Sequence, residues 1–308
     1  MTKQIDLLEQ RALIDRYLKE ADQPLSSFSF INFFIWKDFF NFEFKMIGGN
    51  LCIFASGARD PAGTFLYLPP LGKKINPSVI EECFAIMRGK NNGSGVSRIE
   101  NVPAEQLPLF PDEKFRRIKK GDEYCYYRKD LAALQGNDYK SKRSDYNFFT
   151  KHYNAEYQPF SSQDTEECLA LYDRWAQERK ASQRDEAFFY MLVDNRKVHA
   201  TVFQYCEQLG LAGRVVRVDG EIAGYTFGYN LNQNIFCVLC EIADVNKKGL
   251  PVYIFRKFCE DPQVVRFPFI NVMDDFALEN IQKTKMSFHP TILFSSYTVS
   301  LNHDQQIN

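Results

Sequence analysis

The sequence predicts an α/β fold of the α+β kind: two successive units of mixed, mostly antiparallel sheet flanked by helices. Three observations carry this. The 308 residues, 45% hydrophobic and 25% charged, suffice for two ordinary cores. Short apolar runs bounded by turn residues recur along the chain, the clearest turn being Asp219-Gly220. Between them lie longer stretches with helical spacing and helix stop signals. The division is expected near residue 125, giving an N-terminal unit over 1–125 and a C-terminal unit over 126–308.

In the N-terminal unit, MTKQIDLLEQRALIDRYLKE is charged and helical in pattern, which excludes a signal peptide. Residues 28–44, FSFINFFIWKDFFNFEF, concentrate aromatics around Lys37-Asp38. This run is too short and too interrupted to span a bilayer. Its reading is a buried helix and strand, with peripheral lipid contact as the alternative. LCIFASG and TFLYLPPLG read as strands joined by a turn containing Gly57, Pro61 and Gly63. A helix over 77–90, a loop GKNNGSG and a strand SRIENVP follow. No acid, base and nucleophile cluster there, so the unit reads as structural.

In the C-terminal unit a basic helix is expected over 138–153. AEYQPF is a strand, and Ser161 or Ser162 caps the helix through TEECLALYDRWAQERK. A long helix runs over about 185–209 and stops at Gly210. Three strands then occupy GRVVRVDGEIAGYTFGYNLNQNIFCVLCEIA, with turns at Asp219-Gly220 and Asn232–Asn234. The helix VYIFRKFC, the strand FPFIN, a helix over 276–284 and a strand near 291–299 complete the chain. This succession, a meander and then a strand–loop–helix–strand crossover, is that of the GNAT acyltransferase fold. Element order alone establishes no chemistry.

A formal net charge of −1 gives no global attraction to nucleic acid or anionic lipid. Residues 113–151 nevertheless hold eleven Lys or Arg against six Asp or Glu. Within them, Lys142 interrupts the stripe Tyr139, Tyr146, Phe149 and Tyr153, so it must snorkel, pair or face a cavity. Arg143 beside it suits a planar contact to phosphate or carboxylate; a plain solvated face is the bland alternative. The loop Asn246-Lys247-Lys248-Gly249-Leu250-Pro251 lies where such folds cradle a cofactor pyrophosphate on backbone N–H groups. It offers one glycine where two small residues are wanted, and an ordinary proline-capped loop fits it too.

Glu241, in the apolar run CVLCEIAD, is the candidate general base, unless it faces solvent at a strand edge. Asp275 is its rival, and Asp274 and Asn271 lie close by in sequence; the two aspartates also read as a helix cap. Cys237 and Cys240 form a CxxC, but on a strand they would point to opposite faces, and no histidine completes a metal set. The eight cysteines read as reduced core residues of a cytoplasmic chain, and no metal site is expected. The histidines, including mid-helix His199, sit in no nucleophile motif.

The segments FSFINFFIWKDFFNFEF, PLG at 70–72, YRKDLAALQGNDYKSKRSDYNFFTKHY, VDGEIAGYTFG, the Glu241 strand and INVMDDFALENIQKTKMSFHP resemble a bacterial family. It is that of the phosphatidylglycerol lysyltransferase C-terminal domain, long a domain of unknown function. The likeness implies a duplicated GNAT fold related to enzymes that move an aminoacyl group from tRNA to an amine or hydroxyl. It places Lys142, Arg143, Asn147, Glu241, Asn271, Asp275, Lys283, Lys285 and Pro290 on family-pattern positions. Ile242, Val272, Met273 and Gln282 depart from that pattern, implying a changed substrate or lost catalysis. The full-length lysyltransferase also carries a multispanning membrane part, which these residues do not contain.

The resemblance implies an acyl- or aminoacyltransferase with aminoacyl-tRNA or a coenzyme A ester as co-substrate and no tightly bound cofactor. Lys142, Arg143 and the loop Asn246, Lys247, Lys248, Gly249 would hold donor phosphates. Asn147, Asn271, Asp274, Lys283 and Lys285 would line the site. Two rivals remain, a catalytically inactive module binding a nucleotide or RNA, and a plain acetyl-CoA-dependent N-acetyltransferase. No oligomeric state is implied.

Overall fold

The computed structural model describes residues 6–58, 63–93, 95–182 and 186–302. Pro61 of the expected turn, Ser94 of the expected loop and residue 185 of the expected long helix lie outside them. The chain divides into two compact units. One takes residues 1–123, 274–278 and 293–308, and the other takes 124–273 and 279–292. The C-terminal segment expected in the second unit is therefore shared between them.

The first unit holds helices α1 (Leu7–Ala21), α2 (Phe30–Ile35) and α3 (Pro77–Lys90), with strands β1 (Phe40–Ile47), β2 (Asn50–Gly57), β3 (Thr64–Leu66) and β4 (Arg98–Pro103). A 3-10 turn, Ala104–Leu109, precedes β5 (Phe115–Tyr127), which begins in this unit and ends in the other. β1–β2 and β2–β3 are antiparallel, β3–β4 is parallel across α3, and β4 pairs antiparallel with the last strand, β11 (Ile292–Leu301). Leu66, Val79, Ile80, Phe84, Met87, Ile99 and Val299 form the core beneath α3. The aromatic segment is core: Phe28, Phe30, Phe33 and Phe34 are buried, and Phe33 packs edge-on against Phe42. The buried reading of 28–44 therefore holds for the helix, whereas the strand residues Phe40, Phe42 and Phe44 are only half-buried.

The second unit begins with the end of β5 and with α4 (Arg128–Ala133) and α5 (Lys140–His152), then β6 (Ala155–Pro159). A capping box between Ser161 and Asp164 starts a 3-10 turn that leads into α6 (Thr165–Ser182). The long helix is α7 (Glu186–Gln204), continued after a break at Tyr205 by the short α8 (Cys206–Leu209) and stopped by Gly210 at φ 71°. β7 (Ala212–Val218), β8 (Glu221–Asn230) and β9 (Ile235–Ala243) form the meander. Asp219 and Gly220 both take positive φ, 54° and 87°, as a two-residue hairpin turn demands. α9 (Leu250–Glu260) crosses to β10 (Phe269–Asn271), which is parallel to β9, and α10 (Glu279–Met286) follows. The strand order in this unit is β5-β10-β9-β8-β7-β6.

The sheet of this unit carries α6 and α7 on one face, where Tyr172, His199 and Phe203 meet Tyr225 and Phe227. α5 and α9 cover the other, where Phe149, Leu250 and Ile254 pack on Val216, Val218 and Ala243. α9 is fastened at both ends. At its C-terminus Arg214 of β7 makes a two-pronged pair with Asp261, 2.6 and 3.0 Å, and the Tyr157 hydroxyl donates to the same carboxylate at 3.1 Å. Asp261 is 1% exposed at its side chain, so the pair is sealed from water. At its N-terminus Gly249 has φ 87°, and a Cβ there would stand 2.1 Å from the Asp145 carbonyl oxygen of α5.

Two expectations are corrected. The helix expected over 276–284 starts at Glu279, because Phe276 and Ala277 take left-handed φ of 52° and 56°. Cys237 and Cys240 do not point to opposite faces. The register of β8 with β9 shifts between Phe227/Gly228, so Cys240 pairs with Phe227 and Cys237 with Tyr229, two residues of one face. Neither cysteine is in a disulfide.

Gly249→Ala is expected to cost about 2 kcal/mol or more, since neither the φ nor the helix backbone opposite can yield cheaply. Arg214→Ala is expected to cost about 3 kcal/mol by leaving the buried Asp261 carboxylate without a countercharge, with only the Tyr157 hydroxyl and Gln263 N still donating to it. Urea unfolding of both variants checks this; a loss under about 0.5 kcal/mol in either would show that the contact is dispensable.

Candidate active site

The bulge in β9 decides where Glu241 points. Below it Phe236 and Val238 belong to the core under α9; above it Ala243 does so too, and Glu241 lies two residues from Ala243 on that face. Without the extra residue the carboxyl would enter the core under α6 and α7. Glu241 is partly exposed as a residue, yet its Oε2 is sealed from solvent and has no hydrogen-bond partner. Burial pushes its pKa up to about 8. Thr226, opposite it on the β8–β9 ladder, opposes that shift only in part, and its own Oγ1 also lacks a geometric hydrogen bond. A carboxyl so placed is protonated in the resting protein and can exchange a proton near neutral pH.

Lys142 is held half-buried on α5. Its ammonium donates to Ser287 Oγ at 2.7 Å and lies 4.0 Å from the centre of the Phe288 ring. Burial lowers its pKa, and the nearby Asp145 opposes this. Arg143 is committed to the backbone: it donates to the carbonyls of Leu134 and Gly136, where α4 ends. Asn147 is exposed on α5. A further ring-and-cation stack, not anticipated from sequence, runs along the same helix. Tyr146 stacks on Tyr253, with the Arg256 guanidinium 4.2 Å from its ring centre.

The loop before α9 carries its cations outward. Lys247 Nζ lies 5.6 Å from the Tyr153 ring centre and Lys248 Nζ 4.8 Å from that of Phe148. Asn246 donates to Glu178 at 3.1 Å. Gly249 is required by the packing of α9 on α5, where any Cβ would strike the Asp145 carbonyl oxygen, so its smallness is explained without a phosphate.

The remaining candidates are dispersed. Asn271 is fully buried and accepts from Met273 N at 2.7 Å. It follows Ile270, which enters the core under α9, so Asn271 faces the side of the sheet opposite to Glu241. Lys285 donates to the carbonyls of Val272 and Met273, 2.6 and 3.2 Å, which holds the end of β10. Lys283 forms an exposed pair with Glu279 one turn away. Asp275, in the first unit, is buried and accepts from Ala277 N at 2.9 Å in a turn that no helix continues. Asp274 beside it is half-buried.

The departures from the family pattern fall into two kinds. Ile242 is a core residue on the α6–α7 face, away from Glu241, and Gln282 is exposed on α10. Val272 and Met273 instead lie at the end of β10, held by Lys285. Thr226 was overlooked, although a hydroxyl inside the aromatic run YTFGY is a legible signal. His199 is buried and neutral: burial lowers its pKa to about 3, and its Nδ1 meets the Tyr225 hydroxyl at 2.8 Å.

Among the described residues no group of three or more His, Cys, Asp or Glu side chains is arranged to hold a metal, and no helix is long and apolar enough to cross a membrane. No curated protein matches the chain. Among solved structures it is similar to a conserved protein of unknown function from Bacteroides thetaiotaomicron, at 24% identity and TM-score 0.83, covering 97% of this chain and 98% of that one. It also aligns with the C-terminal domain of a putative lysylphosphatidylglycerol synthetase from Agrobacterium fabrum, at 12% identity, TM-score 0.66, and 98% and 93% coverage. L-PGS from Bacillus licheniformis aligns at 14% identity and TM-score 0.64, covering 94% and 91%. The fold is GNAT-like, as the parallel β9–α9–β10 crossover beside an antiparallel meander already indicated. The model of the family "Phosphatidylglycerol lysyltransferase, C-terminal" matches residues 19–300, and the chain belongs to that family.

Proposed function

We propose that this chain is an acyl-group transferase whose donor is an aminoacyl-tRNA and whose acceptor presents an amine or a hydroxyl. Glu241 carries the reading. It is a carboxyl with one oxygen sealed from solvent and a raised pKa, on the strand that feeds the crossover, able when ionised to accept the acceptor's proton as the new ester or amide bond forms. The names of the family and of its lysylphosphatidylglycerol synthetase relatives support an aminoacyl donor. A coenzyme A ester has less support, because the loop's one glycine is already required by the packing of α9 on α5. Lys247 and Lys248, outward on aromatic rings, and the half-buried Lys142 are the cations offered to donor phosphates. Arg143, Lys283 and Lys285 enter the proposal only as supports, since their visible partners are the protein's own.

The inactive module binding a nucleotide or RNA is the second reading, favoured by Val272 and Met273 standing where the resemblance implies polar residues. Turnover separates the two. With lysyl-tRNA as donor and phosphatidylglycerol vesicles as acceptor, Glu241→Gln is expected to lower turnover at least about 100-fold while donor affinity stays. Turnover equal to wild type would remove Glu241 from the mechanism. Wild-type activity should rise as pH passes through about 8, where the base ionises.

Stability gives a substrate-free check. The unfolded carboxyl titrates near 4.5 and the folded one near 8, so the folded state holds the extra proton between them. The stabilisation is complete below pH 4.5 and is lost as pH rises through 8. Glu241→Gln should flatten this slope and be the more stable form above pH 8; an unchanged slope in urea unfolding would contradict the raised pKa. Donor binding should weaken with salt, and replacing Lys247 and Lys248 by Ala should lower the log–log salt slope by about two. An unchanged slope would place the phosphates elsewhere.

A further inference from the structure

Thr226 is fully buried on β8, and its Oγ1 has no hydrogen-bond partner. Leaving a hydroxyl so is unfavourable, and a valine of the same shape would remove the orphan. Glu241 Oε2 is the matching orphan, and the register sets the two residues directly opposite each other. Cross-strand partners in such a ladder are near neighbours on one face.

The other titratable groups around Glu241 cannot take its place. Cys259 comes from α9 and Cys240 precedes Glu241 in the chain; burial pushes both thiols up, so they stay neutral. Arg214 lies opposite Thr226 on its other side, in the same row, and its guanidinium is committed to Asp261. The Tyr157 hydroxyl is spent on that same carboxylate.

We infer that Thr226 is the positioning residue of Glu241, its hydroxyl donating to the carboxylate, after a small movement of the two side chains, once Glu241 has lost its proton. The inference rests on the reading of Glu241 as the base. In the resting state the carboxyl is protonated and both atoms stand unbonded, as the structure has them. On ionisation the hydrogen bond forms, favours the charged form and fixes the oxygen that must receive the acceptor's proton. No atom is exchanged between the two residues; the Thr226 proton stays on its oxygen throughout.

The test is infrared titration of the Glu241 carboxyl in the full chain, its protonated C=O band assigned by disappearance in Glu241→Gln. Thr226→Val should raise the midpoint by about one pH unit, and Thr226→Ser should restore it. Thr226→Ala, which adds no methyl contact, should shift it the same way and serves if the valine variant misfolds. At pH 5, where Glu241 is neutral, Thr226→Val should not lower the Tm. A midpoint in the valine and alanine variants equal to wild type overturns the inference. If Thr226→Val shifts the midpoint while Glu241→Gln keeps full turnover, the positioning stands and the base reading alone fails.

Discussion

The buried pair between Arg214 and Asp261 ties the end of α9 to the sheet, and the placement of everything on that face follows from it. α9 roofs the row in which Arg214, Thr226 and Glu241 stand opposite one another. Were the helix free to lift, Glu241 would meet water, its carboxyl would relax towards an ordinary acid, and the row would lose its dry side. The ion pair therefore does more than add stability. Such pairs are often matched in energy by apolar substitutes, and their service is to fix one geometry among several. Here the geometry is the distance between a helix and a strand that carries an acid.

The other end of α9 shows the same logic by sterics. Gly249 admits the α5 backbone to a distance that no side chain permits. α5 brings Lys142 and the rings of Tyr146 and Phe149 to the same face. A site built on two helices and a strand in this way is rigid where it must be. The lysines of the loop before α9 lie beside the rings of Tyr153 and Phe148.

Much of the second unit was legible in the chain. Asp219-Gly220, Gly210 and the Ser161 cap announced their turns through local chemistry, and local chemistry is what a single sequence records best. Glu241 was legible because a charged residue inside CVLCEIA demands an explanation. The failures lie in strand pairing and backbone conformation, which side chains record poorly. The extra residue in β9, visible only in its pairing with β8, reversed the facing of Cys237 and Cys240. Phe276 and Ala277 looked helical because nothing in their side chains reveals a left-handed backbone. The strand β5 was hidden by FRRIKK, whose charges disrupt alternation. Arg143 read as a donor-binding cation and Lys285 as a site-lining one, and the sequence does not show that backbone carbonyls engage both.

The pairing of β4 with β11 has a consequence for the order of events at the ribosome. Thr298 of β11 donates to Glu100 of β4, a partner 198 residues earlier. β4 must therefore wait, with one edge unsatisfied, while the whole of the second unit is translated. An open edge is a hazard for wrong pairing, and the waiting strand here ends in Pro103 and carries Arg98 and Glu100. Those residues would discourage a stranger's strand during the wait.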